Sequence, residues 1–324
     1  MKILAIAVGA TILALAAGVG GTFARDTASG QKKKSYDIAL ITNDSSDPFY
    51  VTLATGAKAQ AKAQGVKLSW QAGATIDLAG QTAVLNAVMA KKPDAIVMSI
   101  IDSNAMAGPL RKVKAAGVPV ITVDTDVKNK SLRLATVRSD NFIGGKTAGT
   151  TMKKLLNGKG TVGFQGYQPG IQSVDLRRTG YYSVVNKVPG FKVLDPSYDN
   201  YDLKEIQAKT SALIQRNSDL SGIFAPATNE VLGVAAAVQA AGKAGTIKVV
   251  GFDGAPDEVQ QLKRGTVSAL VVQKAYLIGQ LGVRESVLYL AKNVKPKDKL
   301  LSFVVATKAN LNTPSVKRYL YKTK

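Results

Sequence analysis

The chain has 324 residues, 46% of them hydrophobic, a formal net charge of +21, and neither cysteine nor histidine. These absences exclude disulfides, thiolate catalysis and cysteine-bound metals, and they remove the usual general base and the commonest metal ligand. We therefore expect a protein that is not an enzyme and needs no cofactor or metal. The positive charges are spread over predicted helix faces, which favours a solvated basic surface over nucleic-acid binding.

The first 24 residues are predicted to be a secretory signal peptide. Residues 3–19 are apolar or small, with Lys2 before them and Thr22-Phe23-Ala24 after them. This order of charged, apolar and small residues directs export, so we expect a periplasmic protein. Thr22 is a less usual residue than alanine before a cleavage site, so an uncleaved anchor stays an alternative. Residues 25–35 are small and polar and are predicted to form a flexible spacer.

A regular alternation of strands and helices begins at Tyr36. In the first set, strands are predicted at 36–41, 66–71, 95–99, 120–123 and 134–137, and helices at 49–64, 81–91, 104–116 and 142–156. In the second set, strands are predicted at 161–165, 191–194, 222–225, 248–252, 267–273 and 301–305, and helices at 174–187, 203–216, 230–241, 257–264 and 275–291. A basic tail follows the last strand. Strands that are apolar throughout and separated by single helices predict parallel sheets covered on both faces, hence two doubly wound α/β lobes.

Ligands of open parallel sheets bind beyond the carboxyl ends of the strands, and several polar or aromatic side chains follow predicted strands there. Asp47 precedes Pro48, which is typical of a helix N-cap, but a carboxylate there also accepts hydroxyl hydrogen bonds. The other residues at such positions are Phe49, Tyr50, Asp124, Asp175, Arg177, Tyr201, Asn229, Asp253 and Gln273. For Asp175 and Arg177, a helix cap and a surface charge are the plainer interpretations. The carboxylates suggest a ligand with many hydroxyls, and aromatic rings suit the apolar face of a sugar.

Five segments give the chain a family resemblance: 47–50 (DPFY), 119–124 (PVITVD), 139–149 (SDN and a glycine-rich helix), 175–181 (DLRRTGY) and 249–254 (VVGFDG). Between about residues 36 and 305 the chain resembles the periplasmic sugar-binding proteins of bacterial ABC importers, in the ribose- and galactose-binding group of type I periplasmic binding proteins. The resemblance implies a monomer that delivers a sugar or polyol to a permease. It also implies a three-crossing hinge between lobes 36–138 plus 274–302 and 139–273 plus 303–324.

By motif position, the resemblance implies that Asp47, Phe49 and Tyr50 contact the sugar from the first lobe. It also implies that the Asp124 carboxylate binds the ring hydroxyls. Asp175 or Arg177, Tyr201, Asp253 and Gln273 would complete the site. Three departures stand out. Thr125 replaces the arginine of ribose binders, which weakens a ribose assignment, and no lipid-modified cysteine is present. Either Ala227 or Asn229 occupies the family's ligand asparagine position.

Two functions fit this site: an importer subunit, and a sugar-sensing module that docks on a membrane receptor. Without histidine, no side chain with an ordinary pKa titrates between about pH 5.5 and 8. We therefore expect the affinity for a neutral sugar to be nearly flat across that range.

Overall fold

The computed structural model describes residues 35–73 and 77–323, and these form two α/β lobes built on parallel sheets. The predicted signal peptide and all but the last residue of the predicted spacer lie outside the described residues. Within the described ranges, no helix is both long enough and apolar enough to cross a membrane.

The elements alternate along the chain as the sequence predicts. The first part contains β1 (Asp37–Thr42), α1 (Pro48–Gln64), β2 (Lys67–Ala72), α2 (Leu78–Ala90), β3 (Ala95–Met98), α3 (Ala107–Ala115), β4 (Val120–Val123), a 3-10 turn (Lys130–Leu132) and β5 (Ala135–Ser139). The middle part contains α4 (Asn141–Leu155), β6 (Gly160–Tyr167), α5 (Gln172–Val185), β7 (Phe191–Val193), β8 (Ser197–Asp199), α6 (Leu203–Arg216), β9 (Leu220–Ala225), α7 (Thr228–Ala240), β10 (Lys248–Phe252), α8 (Pro256–Arg264) and β11 (Ala269–Val272). The last part contains α9 (Ala275–Lys292), β12 (Lys299–Leu301), β13 (Val304–Ala306) and α10 (Pro314–Lys317).

The strands form two sheets between which the chain passes three times. The first sheet has the order β12-β5-β4-β3-β1-β2, and its neighbouring strands are parallel. The second has the order β13-β11-β10-β9-β6-β7, with β8 also pairing with β6, and only β13 is antiparallel to its neighbour. The chain crosses after β5, between β11 and α9, and between β12 and β13. Both lobes and the three-crossing connection are thus as predicted.

Helices cover both faces of each sheet, which is why the central strands are mostly apolar. In β1, Ile38 and Leu40 belong to the core that includes Leu53 of α1, whereas Ile41 points to the opposite face. There it packs in the core that includes Leu110 of α3. Successive side chains of a strand point to opposite faces, so a strand buried on both sides carries no polar alternation.

One helix pair in each lobe packs at very short range, and glycines make this possible. A Cβ atom added at Gly145 of α4 would overlap the Arg177 carbonyl oxygen of α5, and one at Gly180 would overlap the Phe142 carbonyl oxygen. In the first lobe, Gly279 of α9 meets the backbone of α1 in the same way. These contacts fix where the first turns of α1 and α5 lie relative to the sheets.

The C-terminal region differs most from the sequence prediction. The single strand expected at 301–305 is wrong, because that run divides into β12 and β13, which belong to different sheets. Ser302 and Phe303 make the crossing between them. Strand β8 and the short helix α10 were not predicted from the sequence.

Candidate functional site

Two aspartates occupy equivalent positions in the two lobes. Asp124 follows β4 and Asp253 follows β10, and both have left-handed backbones, with φ of 63° and 87°. Their amides donate to the carbonyl oxygens of Val137 and Val271 on the neighbouring strands. A left-handed backbone is unfavourable for a residue other than glycine, and such strain concentrates at functional sites. The same left-handed backbone and amide hydrogen bond thus place an aspartate at the carboxyl end of each sheet.

The Asp124 carboxylate is held by side chains of the first lobe. The Tyr50 hydroxyl donates to Asp124 Oδ2 at 2.9 Å, and Asn43 Nδ2 donates to the same hydroxyl oxygen at 2.9 Å. Ser99 Oγ lies 3.4 Å from Asp124 Oδ2. Burial raises the pKa of Asp124 to about 6, while the Tyr50 hydrogen bond and the charge of Arg177 oppose that rise. At neutral pH the carboxyl group is therefore mostly ionised, and it takes up a proton when the pH falls to about 6.

Asp47 serves as a helix cap and also contributes charge to the site. Its Oδ1 accepts from the Phe49 amide at 2.7 Å, as expected for the N-cap of α1. The residue as a whole is exposed to solvent, although protein atoms crowd around its carboxylate. Burial raises its pKa to about 6, and the negative charges of Asp253, Asp44 and Asp124 contribute. The two interpretations of Asp47 are compatible, because one carboxylate oxygen caps the helix while the group remains close to aspartates of both lobes.

Asp253 has a different set of partners. Its Oδ1 accepts from Gln273 Nε2 at 2.7 Å and from the Tyr321 hydroxyl at 2.6 Å. Its Oδ2 lies 3.9 Å from Arg177 Nη1. Both donors act on one oxygen, so the other oxygen is the one directed toward Arg177. The Tyr321 contact was missed from the sequence because Tyr321 lies in the basic tail, outside any predicted element.

Arg177 is the residue of the 175–177 pair that joins the site. It is 5% exposed, with Nε donating to Asn141 Oδ1 at 2.9 Å and Nη1 to the Pro226 carbonyl at 2.8 Å. Its guanidinium lies 3.7 Å from the centre of the Phe252 ring. Asp175 instead accepts from the Gly170 amide and pairs with Arg178. The structure therefore groups Arg177 with Asp253, and it places Asp175 on a neighbouring turn.

Tyr201 and Asn229 form an exposed edge of the site in the second lobe. Tyr201 has a left-handed backbone, with φ of 66°, and is 44% exposed. Desolvation by the surrounding protein and the negative charges of Glu230, Asp253 and Asp47 raise the pKa of this phenol, so it stays protonated. Asn229 Nδ2 donates to the Tyr201 carbonyl at 3.1 Å. Asn229 thus fixes the Tyr201 loop, whereas Ala227 is the N-cap of α7 and supplies no polar group.

Two further residues near the site were not proposed from the sequence. Glu230, in the first turn of α7, is fully buried, and burial raises its pKa to about 8, with Asp199 adding to the rise. Thr125, at the ribose binders' arginine position, instead donates to the Ile100 carbonyl at 2.6 Å and accepts from the Ile100 amide at 2.8 Å. Thr125 therefore ties the loop after β3 to the loop after β4. The available signal for Glu230 was an acidic residue in the first turn of the helix that follows β9.

The site supplies carboxylate acceptors, a buried guanidinium donor and aromatic rings between two lobes. Phe49 and Tyr50 are 7% and 8% exposed, with ring centroids 5.1 Å apart. In the part of the chain that the structure describes, no group of three or more acidic side chains is arranged to hold a metal ion. Charged acceptors beside apolar rings suit a small molecule with hydroxyls on its edges and C–H groups on its faces.

Two α/β lobes with polar groups between them are typical of a solute-binding protein. Residues 38–293 match the periplasmic binding protein domain, and the chain belongs to that family. It is 29% identical to the D-apiose import binding protein of Paraburkholderia graminis over 88% of this chain and 91% of that protein. It is also 29% identical to the ribose import binding protein of Bacillus subtilis, over 80% of this chain and 83% of that one.

A solved structure gives a closer match in sequence. An ABC transporter solute-binding protein from Agrobacterium vitis, bound with α-D-tagatopyranose, is 34% identical and superposes with a TM-score of 0.82. The match covers 89% of this chain and 100% of that one.

Proposed function

We propose that this protein is the extracytoplasmic solute-binding subunit of a bacterial ABC importer and that it captures a neutral sugar or polyol between its lobes. The observation that carries the proposal is the grouping of Asp47, Asp124 and Asp253 with Arg177 between two sheets. Two of the similar proteins described above are named import binding proteins, and the third is an ABC transporter solute-binding protein bound with a sugar.

The individual residues have distinct proposed roles. The carboxylates accept hydrogen bonds from ligand hydroxyls, and Arg177 donates to a ring or hydroxyl oxygen. Phe49, Tyr50 and Tyr201 cover apolar faces. Gln273 acts on Asp253, and Asn229 acts on the Tyr201 loop rather than on the ligand. We assign no ligand contact to Asp175, whose carboxylate is bonded to Gly170 and Arg178.

The proposed cycle includes export, closure and delivery. The leader sends a monomeric protein to the periplasm, and segments 36–138 plus 274–302 close on 139–273 plus 303–324 about the three crossings. The closed form docks on a permease, and only the permease or the leader connects the protein to the membrane. No catalysis or nucleic acid takes part. Import is favoured over receptor-linked sensing, because the relatives described above are named for import.

A ligand screen tests this function directly. D-apiose, D-ribose, D-tagatose and a set of polyols are each added to the purified protein, and the unfolding midpoint is recorded. A ligand present at 100 times its Kd stabilises the folded state by about 2.7 kcal/mol, which raises the midpoint by several degrees. Small-angle scattering with that ligand should show a smaller radius of gyration. A protein that binds none of them would contradict the proposal.

Sugar affinity should fall as the pH is lowered through 6. Burial raises the pKa of Asp47 and Asp124 to about 6, and protonation removes the charge that attracts ligand hydroxyls. From pH 7.5 to 5.5, the affinity should fall about 4-fold if only Asp124 titrates, and further if Asp47 does as well. Calorimetry at several pH values measures this. The raised pKa values lead us to expect this slope in place of the flat profile expected from the lack of histidine.

The unfolding free energy of the ligand-free protein should change with pH in the opposite direction to the affinity. A carboxyl group whose pKa is raised in the folded state stabilises the protein below the unfolded pKa, and that contribution is lost as the pH rises through 6. The ligand-free protein should therefore lose stability over the range where affinity increases. Asp124→Asn should flatten the dependence of both affinity and unfolding free energy on pH. If the affinity of that variant still falls as much below pH 6, Asp124 is not the titrating group.

A further inference from the structure

The C-terminal tail after β13 contacts both lobes beside the site. The Tyr321 amide donates to the Gly254 carbonyl in the second lobe, directly after Asp253. The next residue, Lys322, donates its amide to Thr52 Oγ1 on α1 of the first lobe at 2.7 Å. Two consecutive residues thus bind opposite sides of the cleft between the lobes.

The Tyr321 side chain reaches the site itself. It is 6% exposed, its hydroxyl donates to Asp253 Oδ1 at 2.6 Å, and its ring centroid lies 5.7 Å from that of Phe49 in an edge-to-face arrangement. Burial and the negative charge of Asp253 raise the pKa of this phenol well above its usual value, so it keeps its proton and donates. The contact joins residues 68 positions apart in the sequence.

We propose that Tyr321 is a positioning residue of the sugar site, which orients the Asp253 carboxylate and supports the Phe49 ring. Tyr321 and Gln273 together saturate Oδ1 of Asp253, so Oδ2 is the oxygen that accepts from a ligand hydroxyl. A charged acceptor held by two donors cannot rotate freely, and the ligand meets a fixed oxygen rather than one that must first be ordered. This inference rests on the proposed function.

The test is Tyr321→Phe, which keeps the ring and removes the hydroxyl. The affinity for the best ligand of the screen, measured by calorimetry, should fall about 5- to 30-fold. Tyr319→Phe is the matched control, because Tyr319 lies in the same tail with its ring 5.5 Å from Lys274 Nζ, away from Asp253. That variant should bind as the unchanged protein does.

A double-mutant cycle separates positioning from a merely structural role. In an Asp253→Ala background, Tyr321→Phe should change the affinity less than 2-fold, since the group it orients is gone. A tail that only stabilises the fold would lower the unfolding midpoint and leave the affinity unchanged, which would overturn the inference. Equal losses in both backgrounds would also overturn it. If the unchanged protein binds none of the ligands, the proposed function itself fails, and the inference fails with it.

Discussion

Asp124→Ala and Asp253→Ala should each weaken sugar binding by at least about 2 kcal/mol, or roughly 30-fold. Each substitution removes a charged acceptor and leaves ligand hydroxyls enclosed without partners. Asp253→Ala also leaves two protein donors without their acceptor, because Gln273 Nε2 and the Tyr321 hydroxyl both donate to Asp253 Oδ1. Calorimetry with the best ligand of the screen measures the losses, after circular dichroism has shown that each variant is folded.

Two further variants show whether the effect belongs to the site. Asp257→Ala removes an exposed carboxylate from the first turn of α8, four residues beyond Asp253, and should leave the affinity unchanged. Asp47→Asn should cost less than either alanine variant, because asparagine still caps α1. Unchanged affinity in both folded alanine variants would remove these two aspartates from the site.

The sequence predicts the lobes and much of the site because both follow from local patterns. A strand buried on two faces is apolar along its buried part, as 38–41 and 249–252 are. Together with alternating helices, this pattern indicates parallel sheets covered on both faces. Ligands of parallel sheets bind beyond the carboxyl ends of the strands, so an aspartate directly after a strand lies on the ligand side of the sheet. Asp124 and Asp253 were found on that argument, although their left-handed backbones were not anticipated.

The parts that the sequence did not predict depend on distant contacts. Asp175 and Arg177 lie two positions apart on one helix and so face different directions, and only the packing of α5 shows that Arg177 faces Asp253. The apolar run at 301–305 is continuous, and nothing local indicates that it leaves one sheet for another. Tyr321 lies among lysines in a tail without periodicity, so its contact with Asp253 appears only once the chain is folded.

Gly145→Ala should destabilise the protein by about 3 kcal/mol or more, and it should also disturb Arg177. The added methyl group would overlap the Arg177 carbonyl oxygen and lie 2.8 Å from the Tyr181 amide nitrogen. Both are backbone atoms of α5, so no side chain can rotate to make room, and α4 and α5 must separate. Because α5 carries Arg177, whose guanidinium bonds to Asn141 at the start of α4, the separation should also weaken ligand binding.

The matched control is Gly108→Ala in α3. A Cβ atom there meets nothing closer than an Arg111 side-chain nitrogen at 4.0 Å, so this alanine fits and improves helix propensity. Gly108→Ala should therefore leave stability unchanged or raise it by up to about 1 kcal/mol. Urea unfolding of the two variants beside the unchanged protein measures both effects from the transition midpoints. If Gly145→Ala unfolds at the same urea concentration as Gly108→Ala, the close helix contact does not set the position of α5, and the placement of Arg177 needs another cause.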